Sequence, residues 1–260
     1  MTTQTNTTRL NKFISETGLC SRREADRLIE GGLVKVNGEV AVMGLKVGPG
    51  DHVKVRGKPL RTRPKAVYLA YNKPIGVTCT TDPQVHGNIV DAVKFRGGRI
   101  FPIGRLDKPS EGLILLTNDG DIVNKILRAG NAHEKEYVVT VDKAFDEAFL
   151  RTMAAGVPIL DTVTQPCKIA RISDATFKVT LTQGLNRQIR RMTEYLGYNV
   201  VRLKRVRVMN IELAGLKTGQ WRELSSKEMA VIDGMVAGSS KTEEASDFGR
   251  RQPSKLKPAG

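Results

Sequence analysis

The stretch GRLDKPSEGLILLTNDG, residues 104–120, places one carboxylate, Asp107, shortly before a run of apolar residues. Apolar runs of this kind are buried in folded proteins. A charged carboxylate beside a core costs folding free energy unless a cation or hydrogen-bond donors face it. We therefore expect Asp107 to be paired, and we ask which chemistry such an acid performs.

Several familiar chemistries find no support in the residues. The histidines His52, His86 and His133 share no motif with a serine or cysteine, and the sequence has no G-x-S-x-G, P-loop or G-x-G-x-x-G. No group of His, Cys and carboxylates has metal-ligand spacing. Glu111 is near Asp107, but the Pro-Ser turn between them disfavours the carboxylate pair of a glycoside hydrolase. We expect neither a cofactor nor a metal.

The charge of the chain indicates a polyanionic partner. The 260 residues carry 42 Lys and Arg against 27 Asp and Glu, a formal net charge of +15. Such an excess favours nucleic acid or an anionic membrane surface. No apolar stretch reaches the ~18 residues of a membrane span, and the first residues are polar. We expect a cytoplasmic protein that binds nucleic acid, with no membrane partner and as a monomer. The three cysteines, Cys20, Cys79 and Cys167, are far apart and predict small reduced core residues.

Residues 8–60 predict a small separate domain after a disordered lead. An amphipathic helix ends at Gly18, and Ser21 with Glu24 forms a capping box that starts a second helix, which stops at Gly31. The segment LVKVNGEVAV alternates around Asn-Gly, which is a strong hairpin signal, and DHVKVRG adds a strand. The basic residues 61–66 read as a linker.

Residues 67–236 predict a larger α+β domain with a mixed, mainly antiparallel sheet. The strand-like pieces are VYLAYN, FPIG, GLILLTN, EKEYVVTVD, CKIARI, ATFKVTLTQ, VVRLKRVRVMNIEL and QWREL. The helical pieces are NIVDAVKF, DIVNKILRAG, DEAFLRTMAAG and NRQIRRMTEYLG. Their order is not a regular βαβ repeat, which argues against a parallel sheet. Residues 237–260, rich in Ser, Lys and Pro, predict a disordered basic tail.

The helix in GLNRQIRRMTEYLG concentrates cations in its first turn. Asn186 is its predicted cap, and Ile189 and Met192 face the core. Arginines at this end oppose the helix dipole, so we expect them to have anionic partners. A carboxylate within the protein and a nucleic-acid phosphate both fit this requirement.

The N-terminal run TRLNKFISETGLCSRREADRLIEGGLVKVNGEV resembles an S4 RNA-binding domain over residues 8–60. The resemblance implies binding to structured RNA by shape and charge. It implies phosphate contacts from five cations: Arg9, Lys12, Arg22, Arg23 and Arg27.

The remaining motifs resemble those of pseudouridine synthases, in the S4-bearing RsuA branch. GRLDKPSEGLILLTNDG is similar to the catalytic motif, NKPIGV at 72–77 to the first motif and GLNRQIRRM to the last. The match runs from residue 8 to about residue 230. ILRAGNAHEKEYVVTVD and GVPILDTVT resemble the subgroup that acts on 23S ribosomal RNA. The family's reaction breaks the N-glycosidic bond of a uridine, turns the uracil and rejoins it through C5.

The resemblance also implies roles for individual residues. Asp107 is the catalytic carboxylate, acting at the ribose as nucleophile or base, and Arg190 pairs with it, which answers the charge problem. Tyr137 lies against the uracil and serves proton transfer at C5. Arg105 fills the gap left by the flipped uridine. The other implied substrate contacts are Leu106, Ile189, Lys73 and Arg187.

Two alternatives remain at this point. The first is the same chemistry on a transfer RNA instead of 23S ribosomal RNA. A non-catalytic S4 ribosome-assembly protein fits the charge, but it gives no reason to keep Asp107 with Tyr137 and Arg190. An RNA glycosidase is a weaker option, because no water-activating group is identifiable.

Overall fold

The computed structural model describes residues 7–60, 62–127 and 133–237. Its N-terminal part packs two helices on short strands. These elements are β1 (Thr8–Arg9), α1 (Leu10–Glu16), α2 (Arg22–Glu30), β2 (Val34–Val36), β3 (Glu39–Val40), β4 (Lys46–Val47), β5 (Val53–Val55) and β6 (Lys58–Pro59). β2, β3, β5 and β6 form one sheet in the order β3-β2-β5-β6, and β1 pairs with β4. Leu10, Ile14, Ala25 and Ile29 from the helices form the core with valines of the strands.

The local signals of this part act as expected. The Ser21 hydroxyl accepts a hydrogen bond from the Glu24 N–H and caps α2, which is one half of the predicted capping box. Asn37 and Gly38 have φ values of 53° and 97°. Two left-handed residues at the tip of a two-residue hairpin form the turn whose twist matches the flanking strands.

The C-terminal part is built on one large sheet. Its elements are β7 (Tyr68–Lys73), α3 (Ile89–Val93), β8 (Phe101–Ile103), β9 (Glu111–Thr117), α4 (Gly120–Leu127), β10 (Lys135–Val141), α5 (Glu147–Ala155), β11 (Pro158–Ile159), β12 (Thr162–Val163), β13 (Lys168–Ser173), β14 (Thr176–Leu181), α6 (Gln188–Tyr195), β15 (Val200–Val208), β16 (Ile211–Glu212), β17 (Trp221–Glu223) and α7 (Ser226–Val236). Within the described residues nine strands join in this sheet, with the central order β13-β14-β10-β15-β9-β7-β17. β15 and β9 are parallel, and the other pairs are antiparallel, so the predicted mixed, mainly antiparallel sheet is confirmed.

The two faces of the sheet carry different layers. On one face, α3 covers β7 and β9 while α5 and α6 cover β10 and β14. On the other face, α4 and α7 cover β7, β9 and the end of β15. Tyr137 of β10 contacts both clusters of the first face. It therefore lies at the seam between the two helical layers, and we call this seam the cleft.

Several details depart from the sequence predictions. The piece VVRLKRVRVMNIEL is two strands, because Met209 adopts a left-handed φ of 53° and turns the chain back. Asn186 does not cap α6; Arg187 occupies that position with a φ of 51° and no side-chain cap bond. The prediction missed α7, whose Ser225 and Glu228 form a complete capping box. It also missed the β11–β12 hairpin.

Some predictions fall on residues outside the described ranges. These are most of the disordered lead, residue 61 of the linker, residues 128–130 at the end of the helical piece DIVNKILRAG and residues 238–260 of the basic tail. In the described part of the chain, no helix combines the length and apolar character needed to cross a membrane.

Candidate active site

Asp107 lies in the loop between β8 and β9, residues 104–110, which we call the Asp107 loop. Gly104 starts the loop with a left-handed φ of 74°. Leu106 is buried, and its N–H donates to the Cys79 sulfur at 3.4 Å. The loop closes when the Ser110 N–H donates to the Asp107 carbonyl. The backbone of the loop is thus held from both sides, which fixes where the Asp107 carboxylate projects.

The Asp107 carboxylate stands at the edge of the core. Its side chain is 35% exposed, whereas the sequence led us to expect a carboxylate buried against the apolar run. The apolar residues of β9 are themselves fully buried, but the loop lifts the acid out of that layer. Solvent and substrate can therefore reach it.

Two arginines of the α6 region face this carboxylate. Arg187 Nη1 lies 3.8 Å and Arg190 Nε 4.0 Å from Asp107 Oδ2. Arg187 is half exposed, while only 13% of the Arg190 side chain is exposed. These distances are ion pairs rather than hydrogen bonds. The pair is loose, and the carboxylate keeps free oxygen lone pairs.

Arg190 also anchors the Asp107 loop. Its guanidinium donates to the Pro109 carbonyl and the Ser110 hydroxyl, both at 3.2 Å, and to the Val200 carbonyl at 3.3 Å. Its Nε is buried and has no hydrogen-bond acceptor among the described residues. Burial and the neighbouring Arg187 lower the Arg190 pKa, and Asp107 opposes this shift. A movement of about 1 Å would bring Asp107 into hydrogen-bond range of that Nε, and apo active sites commonly tighten in this way.

The floor of the cleft is made by the central strands. Tyr137 of β10 pairs in register with Arg205 of β15, and the Arg205 guanidinium lies 6.0 Å from the centre of the Tyr137 ring. Arg205 pairs in turn with Gly112 of β9. A Cβ at Gly112 would clash with the Arg205 backbone, so glycine lets these two parallel strands meet here. The tyrosine ring is held at the junction of the two helical layers.

Buried hydrophobic side chains line both sides of that junction. Leu106 belongs to the cluster under α3, and Ile189 to the cluster under α5 and α6. Tyr137 packs against both clusters. Arg105, the residue before Leu106, is exposed.

Lys73 is buried, whereas the motif suggested a side chain that reaches the substrate. Its side chain is fully buried, and its ammonium donates to the carbonyls of Pro74 and Val77, both at 2.9 Å. Lys73 therefore holds its own loop in this structure, and its direct contact with substrate stays a prediction. The sequence NKP gives no sign of burial, because the burial comes from the strands beside it.

The S4 cations divide into two groups. Arg22, Arg23 and Arg27 of α2 are exposed, as is Arg9. Lys12 instead lies 2.6 Å from Asp121 of α4 and 3.5 Å from Glu16. In this structure its ammonium connects the N-terminal and C-terminal parts, and its contact with phosphate stays a prediction.

The region also contains features that the sequence reasoning missed. Glu111 pairs with Arg202, so it is no second catalytic carboxylate beside Asp107. Arg205 is 4% exposed and donates through Nε to the Leu113 carbonyl. Period-two alternation with the buried Leu203 was the signal that Arg205 points inward. Among the described residues, no three His, Cys, Asp or Glu side chains converge as in a metal site.

Comparisons with known proteins agree along the chain. The family model of RNA pseudouridylate synthase matches residues 67–195, and that of the S4 domain matches residues 8–53. A dual-specificity RNA pseudouridine synthase RluF of Salmonella typhi is 56% identical, with 90% of this chain and 81% of the relative covered. A ribosomal large subunit pseudouridine synthase B of Bacillus subtilis is 38% identical, with 85% and 93% covered. A crystal structure of a pseudouridylate synthase aligns with a TM-score of 0.65 at 29% identity, covering 86% of this chain and 99% of that chain.

Proposed function

Because this chain belongs to the RNA pseudouridine synthase family, in the branch that carries an N-terminal S4 domain, we propose that it converts uridine in 23S ribosomal RNA to pseudouridine with Asp107 as its catalytic carboxylate. The activity of a pseudouridine synthase on RNA is shared by these relatives and is that of this chain. The non-catalytic S4 assembly protein and the RNA glycosidase are thereby set aside. The target RNA and the role of each residue are the proposal.

One observation carries the residue assignment: a solvent-accessible carboxylate stands over an apolar cleft with two arginines at 3.8 and 4.0 Å. Both possible roles of Asp107, nucleophile at C1′ or base at C2′, require the ionised acid. Because Arg187 and Arg190 are not in hydrogen-bond contact with it, the carboxylate retains lone pairs for the ribose.

Tyr137 is assigned to the uracil. Its ring lies between the clusters that contain Leu106 and Ile189, so a flipped base entering the cleft stacks against it. Formation of the new bond requires loss of the C5 hydrogen as a proton. The Tyr137 hydroxyl, directly or through a water, is the group we assign to that transfer.

Arg105 and the exposed α2 arginines are assigned to RNA. Arg105 is exposed and directly precedes Leu106, and we assign its side chain to the space that the uridine leaves in its stack. Arg22, Arg23 and Arg27 form an exposed cationic face on α2. Such a face binds phosphates without reading base sequence.

The relatives guide the choice of RNA. The B. subtilis relative is named for the ribosomal large subunit and the S. typhi relative for dual specificity toward RNA. We propose 23S ribosomal RNA as a substrate of this chain, with transfer RNA as the second candidate that a dual specificity allows. We further propose that the protein acts as a monomer in the cytoplasm, without a cofactor or metal.

The experiment is a map of pseudouridines in total RNA from cells with and without the protein. We expect one or a few sites in 23S ribosomal RNA to disappear in the deletion strain and to return when the intact gene is restored. Sites lost only from transfer RNA would replace the primary substrate by the second candidate. An unchanged map in both RNA classes would contradict the proposed targets.

A further inference from the structure

Three buried or half-buried cations lie on the face of the sheet beneath the cleft: Lys73 on β7, Arg205 on β15 and Lys135 on β10. Lys73 is 0% and Arg205 4% exposed, and Lys135 is half-buried. Lys135 precedes Tyr137 by two residues on the same strand, so both side chains project from the same face. We call these three residues the cationic floor.

Backbone carbonyls hold each member of the floor in place. Lys73 Nζ donates to Pro74 and Val77, and Arg205 Nε donates to Leu113 at 2.7 Å. Lys135 Nζ donates to the carbonyl of His133 at 3.1 Å and more distantly to that of Thr182 at 3.4 Å. These acceptors are neutral. They orient the cations, but they leave the positive charge uncompensated.

Neither nearby carboxylate, Asp107 or Glu111, lies within ion-pair distance of a member of the floor. Glu111 is engaged by Arg202, and Asp107 stands at the rim opposite Arg187 and Arg190. Burial lowers the pKa of Lys135 to about 8, with repulsion from Arg205 adding to the shift. Burial also lowers the pKa of Lys73, to which Arg205 contributes repulsion while Cys79, Asp107 and Glu111 oppose the shift. The buried charges of the cationic floor therefore lower the stability of the protein in the absence of substrate, as is common for groups held in place for a function.

The reaction supplies the missing anion. When the N1–C1′ bond of uridine breaks, the bonding electron pair leaves with the uracil, which becomes a monoanion with its charge spread over N1, O2 and O4. If Asp107 is the nucleophile, one of its oxygens bonds to C1′ and the carboxylate becomes a neutral ester. If Asp107 is the base, it takes the C2′ proton and becomes a neutral acid. In both cases one negative charge moves from Asp107 at the rim to the base in the cleft.

We propose that Lys73, Arg205 and Lys135 stabilise the detached uracil as an anion while it turns between cleavage and C5 attachment. This inference rests on the proposed function and deepens it. Arg187 and Arg190 face the charge before cleavage, and the floor beneath Tyr137 faces the charge after it. Preorganised cations in a water-poor site stabilise developing charge strongly, because they need not reorient during the reaction. The same field keeps the anion from leaving the cleft before it is rejoined.

The test compares two leaving groups in single-turnover reactions. RNA carrying uridine at the target position is compared with RNA carrying 5-fluorouridine, whose electron-withdrawing fluorine makes the departing base a more stable anion. Consumption of the target nucleoside is followed by nuclease digestion and chromatography. Lys135→Met should slow consumption of uridine by about tenfold, a smaller factor than loss of a direct donor gives. The slowing should be clearly smaller for 5-fluorouridine, which depends less on the floor.

Controls separate this effect from a damaged fold. Lys178→Met removes a lysine from β14 whose ammonium faces Glu136 at 3.8 Å, and both substrates should react as with the parent protein. Lys135→Gln keeps a hydrogen-bond donor without the charge, and it should reproduce the leaving-group dependence if Lys135→Met does not fold. Equal slowing of both substrates, or no slowing of either, would overturn the inference. Failure of the proposed function looks different, because the parent protein itself would then consume neither RNA.

Discussion

The two basic regions of this protein use the same residue types in opposite ways. On α2, Arg22, Arg23 and Arg27 are exposed. In the cleft, Arg190 is 13% exposed and Arg205 4%. An exposed cation interacts with phosphate weakly and in a salt-dependent manner. A buried, fixed cation acts strongly on charge that appears beside it, but its burial costs folding free energy.

We therefore expect the exposed arginines of α2 to determine RNA affinity and the buried cations of the cleft to determine the rate of the reaction. Loss of an α2 arginine should weaken binding and leave the turnover of bound RNA unchanged. Loss of charge in the cleft should spare binding and reduce turnover. Among the described residues, the polar contacts that connect the S4 domain to the rest of the chain include Lys12 with Asp121, Arg63 with both Glu16 and Asp119, and Arg99 with the Cys20 carbonyl. The following changes test how independent the two regions are.

The largest effect is expected from Asp107→Asn. The change keeps the size of the side chain and removes the charge and the basic oxygen. Turnover should fall on the order of 10⁴-fold, while RNA binding is equal or tighter because a repulsion from phosphate is gone. Since the new bond at C5 expels the C5 hydrogen, tritium release from C5-labelled uridine RNA measures the chemistry.

Glu111→Gln is the matched control for Asp107→Asn. It removes a carboxylate four residues away that pairs with Arg202, and tritium release should continue. If Asp107 were only a structural partner of Arg190, its loss would cost roughly 3–5 kcal/mol of stability, as for a broken buried pair. The 35% exposure of the carboxylate argues for a smaller cost. A stable Asp107→Asn protein that releases tritium at the parent rate would refute the mechanism.

The second prediction concerns the exposed arginines of α2. The triple change Arg22→Gln, Arg23→Gln and Arg27→Gln should weaken RNA binding and lower its salt dependence. For each RNA phosphate that the variant no longer binds, the log–log salt slope should fall by about 0.7–0.9. Single-turnover rates at saturating protein should stay at the parent value. Arg151→Gln removes an exposed arginine from α5 and should leave the slope unchanged.

The sequence predicts the exposed arginines of α2 better than the buried cations of the cleft. The reason is the distance along the chain between the residues that interact. The α2 arginines follow from local signals, because the Ser21 cap and the glycines after the helix define one amphipathic helix. The position of Asp107 before a buried strand is local as well, although its partial exposure is set by the loop that Gly104 begins.

The cationic floor was not predictable in the same way. Lys73, Lys135 and Arg205 lie on strands far apart in sequence, and they meet only because β15 runs parallel to β9 and antiparallel to β10. No local pattern gives that order of strands. The ion pair between Lys12 and Asp121 was not predicted for the same reason, since Asp121 is on α4 of the other domain. Asn186 is the better local cap for α6, yet Arg187 occupies the N-cap position in a left-handed conformation. Tertiary packing therefore overrides the local preference at this position.

The third effect tests the link between the regions. Arg63 lies 3.6 Å from Glu16 of the S4 domain and 3.2 Å from Asp119 before α4. Arg63→Gln should lower stability by less than about 1 kcal/mol, as for exposed pairs. The kcat/KM on long RNA should fall about threefold because S4 and cleft are aligned less well, while a short stem-loop bound by the cleft alone is unaffected.

Arg171→Gln provides the comparison for Arg63→Gln. Arg171 forms a similar surface pair with Glu147 at 2.9 Å, but within the catalytic domain. It should match the small stability loss without changing the preference for long RNA. Equal losses on long and short RNA for Arg63→Gln would show that the contact supports the fold and not the alignment of the domains.

The smallest effect is on stability, and it tests the cost of the buried cations. The Lys135 pKa is lowered from 10.5 to about 8 by burial and by repulsion from Arg205, so the folded protein binds this proton less tightly than the unfolded chain. Below pH 8 the lysine is charged in both states and the full penalty is present. Between pH 8 and 10.5 the folded state loses the proton first, so the stability contributed by this group rises with pH.

Lys135→Met removes the group, and its thermal unfolding temperature should exceed that of the parent by roughly 2–4 °C near pH 7, corresponding to about 1 kcal/mol. That advantage should shrink as the pH rises toward 10, whereas the difference between Lys178→Met and the parent should show no such trend. If the higher unfolding temperature of Lys135→Met stays constant from pH 7 to 10, the change stabilises the fold by packing alone. The charge of Lys135 would then not be the source of the lost stability.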